Sequence, residues 1–429
     1  MTIKPFVAAL MLGSATTVAV ANDAETAPVA SVTQPSTSTT PDNALIEFVE
    51  AALASNPQVR AAAFSVSASQ SLESAAGRPL YNPELELSTE NAAEDTRTVG
   101  LSQTFDWGGK RAARSKVANA ETNGAIAEYQ QIRQSIVIEL LGRLADLQTE
   151  NERASLATER VRLMNQFLEL TQKRFSAGDL SLVESNFAKL VFADARMQRA
   201  TALSDAAEAE QNLIAIANSD SIVAKPKLNT TLPVQPSLLD LDEYLALLPE
   251  VQIARYRVEA AEARALLRKR EKRVDPTISV VGGEEGDDSL VGLTFSIPIP
   301  IRNRFTDEAN AAKDHYLQEQ QTLLNVERRA TARLKSAHER YRIASEAWQD
   351  WQQVGQSSLA EQSPQLRRLW ESGELSTTEF IVQTGQTIDS QDNALSLRRS
   401  LWRAWFEWLN ASGQIDQWLT LDSDADPVR

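Results

Sequence analysis

The residue types that usually carry out chemistry are scarce in this chain of 429 residues. It has no cysteine, which excludes disulfides, thiolate metal sites and an acylated cysteine anchor. Its two histidines, His315 and His338, lie 23 positions apart in a charged helical pattern, and neither has a second histidine at helical ligand spacing. We interpret both as residues of a solvated helix face. The sequence therefore predicts no catalytic residue, no cofactor and no metal site.

One short motif suggests nucleotide chemistry. Gly109-Lys110 resembles part of a phosphate-binding loop, but Arg111 stands where that loop requires Ser or Thr, and the upstream glycine spacing is absent. The net charge of −15 argues against nucleic acid as a partner. A possible ligand-stacking stripe lies near the C-terminus, at Trp402, Trp405 and Trp408. Such a stripe is more often packing between helices, so these residues favour a protein that is not an enzyme.

The N-terminus indicates export. Lys4 precedes an apolar stretch from Pro5 to Val20 that ends in small residues, which predicts a signal peptide over residues 1–21. A short membrane anchor is the alternative, but about 16 apolar residues are fewer than the roughly 20 that a spanning helix needs. Residues 22–41 are rich in Ala, Thr, Ser and Pro and predict a disordered linker. No later apolar run approaches the length of a spanning helix.

The rest of the chain contains the same pattern twice, at a spacing of about 192 to 195 residues. Asn56-Pro57 corresponds to Leu248-Pro249, and the segment 176–181 corresponds to 371–376. We therefore predict a first repeat over 42–225, a second over 226–418 and an acidic tail over 419–429. Each repeat has the order short helix, two strands, very long helix, glycine turn and return helix.

The long helices are the dominant predicted elements. Apolar residues recur at helical steps from Arg111 to Phe175, and about 65 residues at 1.5 Å each give a rod of roughly 100 Å. The other predicted helices are Asp42–Ala76, Ser181–Ala217, Asp240–Arg273, Asn303–Trp370 and Ser376–Asn410. An ordinary fibrous coiled coil is the alternative, but the strand patterns near the ends of these helices argue against it.

Two segments in each repeat alternate between apolar and polar residues, as strands do. The apolar positions are Leu85, Leu87, Val99, Leu101, Phe105, Trp107, Ile278, Val280, Val291, Leu293, Phe295, Ile297 and Ile299. Their lengths suit membrane β-strands, although a small soluble β subdomain is equally consistent with the pattern. Loops are expected at Asn91–Arg97 and Gly282–Asp288. Because four strands cannot close a barrel in lipid, membrane strands would require several protomers.

Each repeat reverses direction at a glycine. Gly178 and Gly373 are predicted to end the long helices as C-terminal caps. Pro364 lies nine residues before the second turn, and we expect it to kink or break that helix. Glu169 stands at the corresponding place in the first repeat, so that hairpin should be straighter.

These segments resemble a known family, the TolC-like outer-membrane factors of tripartite efflux systems, and most closely its heavy-metal, CzcC-like branch. The similarity runs from about Asp42 to Trp418, and its most specific parts are 81–85, 101–111 and 296–304. The resemblance implies a mainly α fold with a small β part: duplicated long helical hairpins plus four transmembrane β-strands per protomer. Three protomers would form a twelve-stranded barrel in the outer membrane of a Gram-negative bacterium and an α-helical tunnel in the periplasm. It also implies a periplasmic adaptor and an inner-membrane RND pump as partners.

The strand–helix joint is the most specific of these motifs, and its residues are Trp107, Gly108, Gly109, Lys110 and Arg111. The two glycines allow the backbone angles that a change from strand to helix can require. We expect the two basic side chains to lie beside the inner membrane face, where they can meet lipid headgroups.

By the same resemblance, the tips of the two hairpins are where the adaptor docks. They comprise Gly178, Asp179, Leu180, Ser181, Gly373, Glu374, Leu375 and Ser376. An acidic residue six positions after the second turn lines the pore in the TolC pattern, which makes Glu379 a candidate gate residue. Glu184 has the same offset in the first repeat but is expected to face the adaptor groove or a basic neighbour. Val382 replaces a second acidic residue, and a solvated Glu379 on the outer face is the alternative.

The resemblance therefore implies a passive trimeric exit duct, and its heavy-metal branch implies heavy-metal cations as cargo. A multidrug or type I secretion duct of the same fold is the main alternative. A soluble periplasmic coiled-coil adaptor is the alternative from a different class.

Overall fold

The computed structural model describes residues 41–91, 95–217, 225–228 and 241–421. Residues 39–429 group into one compact unit. The predicted signal peptide and almost all of the predicted linker lie outside the described residues, as do residues 422–429 of the predicted tail. Leu419 and Leu421 are buried in the main core, so the packing continues beyond the boundary predicted at residue 418.

Within the described residues, the first half of the chain forms four helices and two strands. Their bounds are α1 Asn43–Ser55, α2 Pro57–Ala76, β1 Glu84–Asn91, β2 Asp95–Thr104, α3 Lys110–Ser176 and α4 Leu182–Ala217. The long helix predicted from Arg111 to Phe175 is confirmed, since α3 has 67 residues without a break. The return helix predicted from Ser181 to Ala217 is confirmed as α4.

The second half repeats this order. Its elements are α5 Leu241–Leu247, α6 Pro249–Glu271, β3 Thr277–Glu285, β4 Asp288–Ser296, α7 Thr306–Asp350, a π-helical turn at Trp351–Gly355, α8 Gln356–Glu371, α9 Thr377–Ser412 and α10 Ile415–Trp418. The helix predicted over Asn303–Trp370 is therefore two α-helices joined by a π turn. The predicted short helices are interrupted too, but each by an extended residue before a proline.

The two short helices were each predicted as one element, and both are divided before a proline. Asn56 is extended, and its side-chain Oδ1 accepts hydrogen bonds from the N–H groups of Gln58 (2.8 Å) and Val59 (3.3 Å). Leu248 is extended in the same way before Pro249. The residue that precedes proline disfavours the α conformation because its own backbone and Cβ clash with the proline ring. Each predicted helix is therefore a pair.

Pro364 does not end the long helix, because α8 continues through it to Glu371. The prediction of a break at this residue is wrong. The departure from α-helical hydrogen bonding comes earlier, at Trp351–Gly355, where the Gln356 N–H donates to the Trp351 carbonyl five residues before it. A kink of the helix axis at Pro364 stays a prediction.

The four strands form one antiparallel sheet in the order β1-β2-β3-β4. The two hairpins are joined by β2 and β3, with Thr96 opposite Glu285 and Thr104 opposite Thr277. The hairpin connections are shorter than predicted, since Asn91 already pairs with Asp95 and Glu285 with Asp288. Residues 282–285, predicted as loop, belong to β3.

The main core lies where both repeats meet. It combines α1 with the middle of α3, the end of α4, the middle of α7 and the last part of α9. The tryptophans at 402, 405 and 408 are buried there, which confirms their interpretation as packing residues. Trp405 contacts Tyr341 at 5.0 Å between ring centroids, and Trp408 contacts Tyr244 edge-on at 5.9 Å.

Ion pairs connect the two repeats along α3 and α9. Arg403 donates to both carboxylate oxygens of Asp146 at 2.7 Å, and the Nε of Arg153 donates to Asp392 at 2.8 Å. Arg398 pairs with Glu152 further along. Because most of these groups are partly exposed, each pair stabilises the fold only modestly, about 0–1 kcal/mol. Their alternating charges fix which faces of the two helices meet.

Candidate functional site

Both hairpin tips are built by the same helix-ending motif. Gly178 and Gly373 have φ values of 86° and 81°, in the left-handed region that favours glycine. The Asp179 N–H donates to the Arg174 carbonyl at 2.9 Å, and the Glu374 N–H donates to the Leu369 carbonyl at 2.9 Å. These bonds are the six-to-one bonds of a Schellman motif. The predicted capping role of both glycines is confirmed, and adaptor docking at the tips stays a prediction.

The two candidate gate glutamates occupy equivalent places for a local reason. The Glu379 carboxylate accepts from the Ser376 N–H at 3.0 Å, while the Ser376 Oγ accepts from the Glu379 N–H at 3.2 Å. Glu184 and Ser181 make the same reciprocal pair, at 2.9 and 3.2 Å. Each is a capping box at the start of a return helix. Hydrogen bonds from Ser376 and Ser181 lower the pKa of the respective carboxyls below their ordinary range.

The sequence signal for these caps was present but not used. Ser-x-x-Glu before a helical run, here Ser181–Glu184 and Ser376–Glu379, is the signature of a capping box. The equal offsets of the two glutamates therefore follow from helix capping. The gate role of Glu379 stays a prediction, and a test of it must separate the charge from the cap.

The strand–helix joint begins α3 with a tight local cap. Gly109 has φ 69°, and the two carboxylate oxygens of Asp106 accept from the N–H groups of Lys110 (2.8 Å) and Arg111 (2.7 Å). Burial of Asp106 opposes its ionisation, but backbone hydrogen bonds from Arg111, Lys110 and Gly109 outweigh it and lower the pKa of this carboxyl. Trp107 is 68% exposed beside this cap.

The sequence predicted that Lys110 meets lipid headgroups. That prediction is wrong, because the Lys110 side chain is mostly buried against Asp275. Its Nζ donates to Asp275 at 2.8 Å, and the two side chains are only 12% and 5% exposed. Asp275 also accepts from the Tyr81 hydroxyl at 2.7 Å. Burial, followed by the hydrogen bond to Asp275, raises the pKa of Tyr81 to about 12. Arg111 is exposed, so of the two predicted basic residues only Arg111 is available to a headgroup.

This cluster joins the two repeats. Tyr81 and Lys110 flank the first hairpin, while Asp275 directly precedes β3 in the second. Arg270, at the end of α6, donates from Nη1 to the Gly109 carbonyl at 2.6 Å. A Cβ on Gly108 would lie 3.1 Å from the Arg270 carbonyl oxygen, a tight contact that favours glycine at this close approach. Sequence patterning alone missed these contacts because the partners are 161 to 194 residues apart.

The two faces of the sheet differ in charge. On the polar face, the described strand residues include five carboxylates and no basic residue: Glu84, Glu86, Glu90, Glu285 and Asp288. On the other face, large apolar side chains are exposed over the same length: Leu85, Leu87, Val99, Leu101, Val280, Val291, Leu293 and Phe295. Period-two alternation predicted the apolar row. That the charged residues of the opposite face are all acidic emerges only when the strand register is known.

No helix in the described ranges has both the length and the apolar character needed to cross a membrane. Within those same ranges, no group of three or more His, Asp or Glu side chains is arranged to hold a metal ion.

The sequence is similar to that of known outer membrane efflux proteins. Residues 48–219 match the family described as outer membrane efflux protein. The Cupriavidus metallidurans cobalt-zinc-cadmium resistance protein CzcC is 26% identical over 253 residues, covering 56% of this chain and 60% of that protein. The Alcaligenes xylosoxydans nickel-cobalt-cadmium resistance protein NccC is 25% identical over 304 residues, covering 68% of each.

Structural similarity extends over more of the chain. The Campylobacter jejuni CmeC outer membrane channel superposes with a TM-score of 0.73 at 14% identity, covering 90% of this chain and 88% of that one. The chain thus shares the fold of that outer membrane channel. Its sequence is similar to the outer membrane efflux protein family over residues 48–219 and to the two metal-resistance proteins. It spans 60% of the length of CzcC.

Proposed function

We propose that this chain is the outer-membrane duct of a tripartite efflux system and that its cargo is heavy-metal cations. One observation carries the proposal: the sheet exposes an apolar row on one face, and on the other face every charged residue that the structure describes is acidic. A membrane β-barrel needs an apolar outer face, and acidic side chains on its inner face attract cations. The similarity to CzcC and NccC, both metal-resistance proteins, supports metal cargo.

The proposed assembly is a homotrimer. The sheet has two edge strands, β1 and β4, and unpaired strand edges are not tolerated in lipid. Pairing β4 of one protomer with β1 of the next gives twelve strands in a closed ring of three. The long helices then continue into the periplasm, where the hairpin tips meet a periplasmic adaptor and an inner-membrane RND pump. The duct itself is passive, and the pump supplies the energy.

Electrical recording tests the role of the acidic face. In planar bilayers, the variant with Glu84, Glu86 and Glu90 all changed to Gln should lose most of the preference for K⁺ over Cl⁻. The matched control is Glu284→Gln, because Glu284 lies on the opposite face, beside Arg97 in the register. If the triple variant keeps the wild-type selectivity, the acidic face does not line the pore.

Cell growth tests the cargo. Deletion of the gene should sensitise cells to cobalt, zinc, cadmium or nickel ions more than to hydrophobic drugs. The opposite pattern would favour a multidrug duct.

Purified in mild detergent, the chain should have about three times its own mass, and a stable monomer recovered from the outer membrane would contradict the barrel.

A further inference from the structure

Positive charge is concentrated at the end of the sheet where the strands connect to the helices. Four chain segments meet there: residues 77–83, 105–111, 268–276 and 297–308. The register brings them together, because Thr277 lies opposite both Thr104 on β2 and Ser296 on β4. The four segments contain ten basic and five acidic residues, in a chain whose net charge is −15. This end of the sheet is therefore opposite in sign to the chain as a whole.

Three of the five acidic residues are engaged within the chain. Asp106 caps α3, and Asp275 accepts from the Lys110 Nζ at 2.8 Å. Glu271 accepts from the Arg268 Nη1 at 2.7 Å. These three carboxylates therefore leave the other basic side chains of the four segments without a partner among them.

The other two acidic residues, Asp307 and Glu308, lie in the first turn of α7, where the positive end of the helix dipole favours carboxylates. Glu308 also accepts from the Asn303 Nδ2 at 3.2 Å. Seven exposed basic residues are left in the four segments, and none of them makes an ion pair with a described residue. We call these seven residues the joint belt: Arg78, Arg111, Lys269, Lys272, Arg273, Arg302 and Arg304.

Helix α6 shows that the unpaired charge is local to this end of the sheet. Further from the sheet, its arginines pair with glutamates of neighbouring helices: Arg255 with Glu327, Arg257 with Glu128 and Arg264 with Glu121. The negative end of the dipole of α6 favours the bases at its C-terminus, but Arg302 and Arg304 precede the positive end of α7, where the dipole disfavours them. The joint belt is therefore best matched by an anion from outside the chain.

The opposite end of the sheet carries the opposite charge. Around the two hairpin turns, the charged residues that the structure describes are Arg97 and six carboxylates: Glu90, Asp95, Glu284, Glu285, Asp287 and Asp288. An anionic surface is therefore attracted at the helical end of the sheet and repelled at the hairpin end.

Large apolar side chains are exposed beside the joint belt. Trp107 is 68% exposed, and Ile301 is 78% exposed. Phe105, Ile297 and Ile299 are exposed as well, and they continue the apolar row of the sheet past the ends of β2 and β4. Aromatic residues at the edge of an apolar band are typical of a membrane–water interface. The joint belt thus lies where an apolar surface ends and charged helices begin.

We propose that the joint belt binds the phosphate groups of anionic phospholipids in the membrane leaflet on the helical side of the sheet. The proposal rests on the proposed function, since the sheet must lie in a membrane for the belt to meet a leaflet. Of the two residues that the sequence predicted to meet headgroups, only Arg111 belongs to the belt.

The chemistry of the belt favours a lipid with net negative charge. Lysine and arginine bind phosphate oxygens through charge-assisted hydrogen bonds, and each base near an anionic surface strengthens binding about fivefold. A zwitterionic headgroup carries its own cation beside the phosphate, which competes with the belt. An anionic headgroup has no such cation, so unpaired bases select it.

Contact quenching of Trp107 fluorescence by brominated lipids tests the proposal on the full chain in bilayers. The seven other tryptophans lie on α7–α10 or in the π turn, and their signal is removed by subtracting that of Trp107→Phe. In mixtures of phosphatidylcholine and phosphatidylglycerol, brominating one lipid at a time gives the relative affinity of the two lipids for the belt. The anionic lipid should be favoured at least about fivefold at low salt.

Salt tests the same preference without a substitution. Between about 0.01 and 1 M salt the Debye length shortens from about 30 to 3 Å, so the preference should fall toward equality. At equal ionic strength, sodium phosphate should lower it no more than sodium chloride does. Stronger displacement by phosphate would assign the belt to a free anion and overturn the lipid proposal.

Two variants matched in charge locate the effect. The belt variant combines Lys269→Gln, Lys272→Gln and Arg273→Gln, and its preference for the anionic lipid should be less than about half that of the wild type. The matched control combines Arg255→Gln, Arg257→Gln and Arg264→Gln. It removes the same positive charge from paired bases further from the sheet, and it should leave the preference unchanged.

The outcomes separate this proposal from the proposed function. If neither brominated lipid quenches Trp107, the sheet is not in the bilayer, and the duct and the lipid proposal fail together. If both lipids quench it equally, the sheet lies in a bilayer without selecting anionic lipid, and only the lipid proposal is wrong. If the belt variant and the control lose the same share of the preference, net charge causes it and the belt is not the binding site.

Discussion

The two hairpins share one sequence order but reach stability in different ways. In the first, α3 is continuous and the return helix packs on it through small buried residues such as Ala188, Ala195 and Ala206. In the second, the long helix is interrupted by the π turn, and its return helix α9 fixes the core with large rings. Small residues allow close contact along the whole length of two helices, whereas large rings concentrate the packing in one place.

The two repeats keep the same order of helices and strands, but their long helices are packed in different ways. The first hairpin is anchored along its length, and the second is anchored near the middle of the molecule and again at the tip. Changes at matched positions of the cores and the joints should therefore differ in size, and in one case in sign, whereas the caps that both tips share should respond alike.

The largest difference is expected in the core. Trp408, in α9, is completely buried, and its position corresponds to Leu213 in α4, which is also buried. Trp408→Ala should lower the free energy of unfolding by about 4 kcal/mol, and Leu213→Ala by about 3 kcal/mol, because the cavity left by the indole is larger. Denaturant unfolding in detergent measures both. Equal losses of unfolding free energy would show that Trp408 stabilises the core no more than Leu213 does.

The next largest effect concerns the joints. Lys110→Met leaves Asp275 buried without its cation and should cost roughly 3 kcal/mol, whereas Lys110→Met combined with Asp275→Asn should cost less than about 1 kcal/mol. Among the described residues, the second joint has no matching buried pair. There, just before α7, the exposed Asn303 side chain accepts from the Phe305 N–H at 2.8 Å. Thermal unfolding of the three proteins gives the result, and a double variant as unstable as Lys110→Met would contradict the buried pair.

The caps should respond alike in both repeats. Ser376→Ala and Ser181→Ala should each cost about 1 kcal/mol, because each removes one half of a capping box. The pKa values of Glu379 and Glu184 are lowered in the folded state, so the contribution of each cap is present above the ordinary pKa of 4.5 and is lost as the pH falls through the lower folded value. NMR titration of the two carboxyls measures this directly.

The same residues sharpen the gate hypothesis. Glu379→Gln retains a side-chain acceptor at the capping position but removes the charge, while Ser376→Ala retains the charge and weakens the cap. If Glu379 lines the pore, only the Gln variant should lose cation preference and block by trivalent cations. Loss in the Ala variant alone would assign the effect to the tip structure, and Glu184→Gln serves as the control in the other hairpin.

Smaller than the effects in the core and at the buried pair is one that has opposite signs in the two repeats. The residue before each long helix is left-handed: Gly109 with φ 69° and Phe305 with φ 54°. Gly109→Ala should destabilise by about 1–2 kcal/mol, whereas Phe305→Gly should stabilise by up to about 1 kcal/mol, because only glycine adopts this conformation without a steric penalty. Unfolding midpoints check both, and a loss of stability in Phe305→Gly would mean that the ring contributes more than the strain costs.

Local patterns in the sequence were enough to predict most of the fold. Helical periodicity located α3 and α4 to within a residue or two, and period-two alternation located the strands. Asn56-Pro57 marked a helix start but was not used to divide α1 from α2. The π turn was missed because hydrophobic periodicity does not record a single extra residue per turn, and Gly355 reads as an ordinary weak point in a helix.

The candidate site was less predictable, for physical reasons. Glycines at the tips are recognisable because they act on their own backbone. The environment of Lys110 was predicted wrongly because it depends on Asp275, which lies 165 positions away in the sequence. The acidic sheet face likewise depends on which residues of four strands point the same way, and register is a property of the folded sheet.

The position of Leu419 and Leu421 has a consequence for how this molecule is made. Both lie in the same cluster as Leu45, Phe48 and Val49 of α1, so residues from the two ends of the described chain complete one another's packing. The repeats are therefore not independent folding units. During synthesis, the first repeat keeps part of its apolar surface uncovered until residues 419–421 have been made, and in this interval the chain is most prone to aggregate.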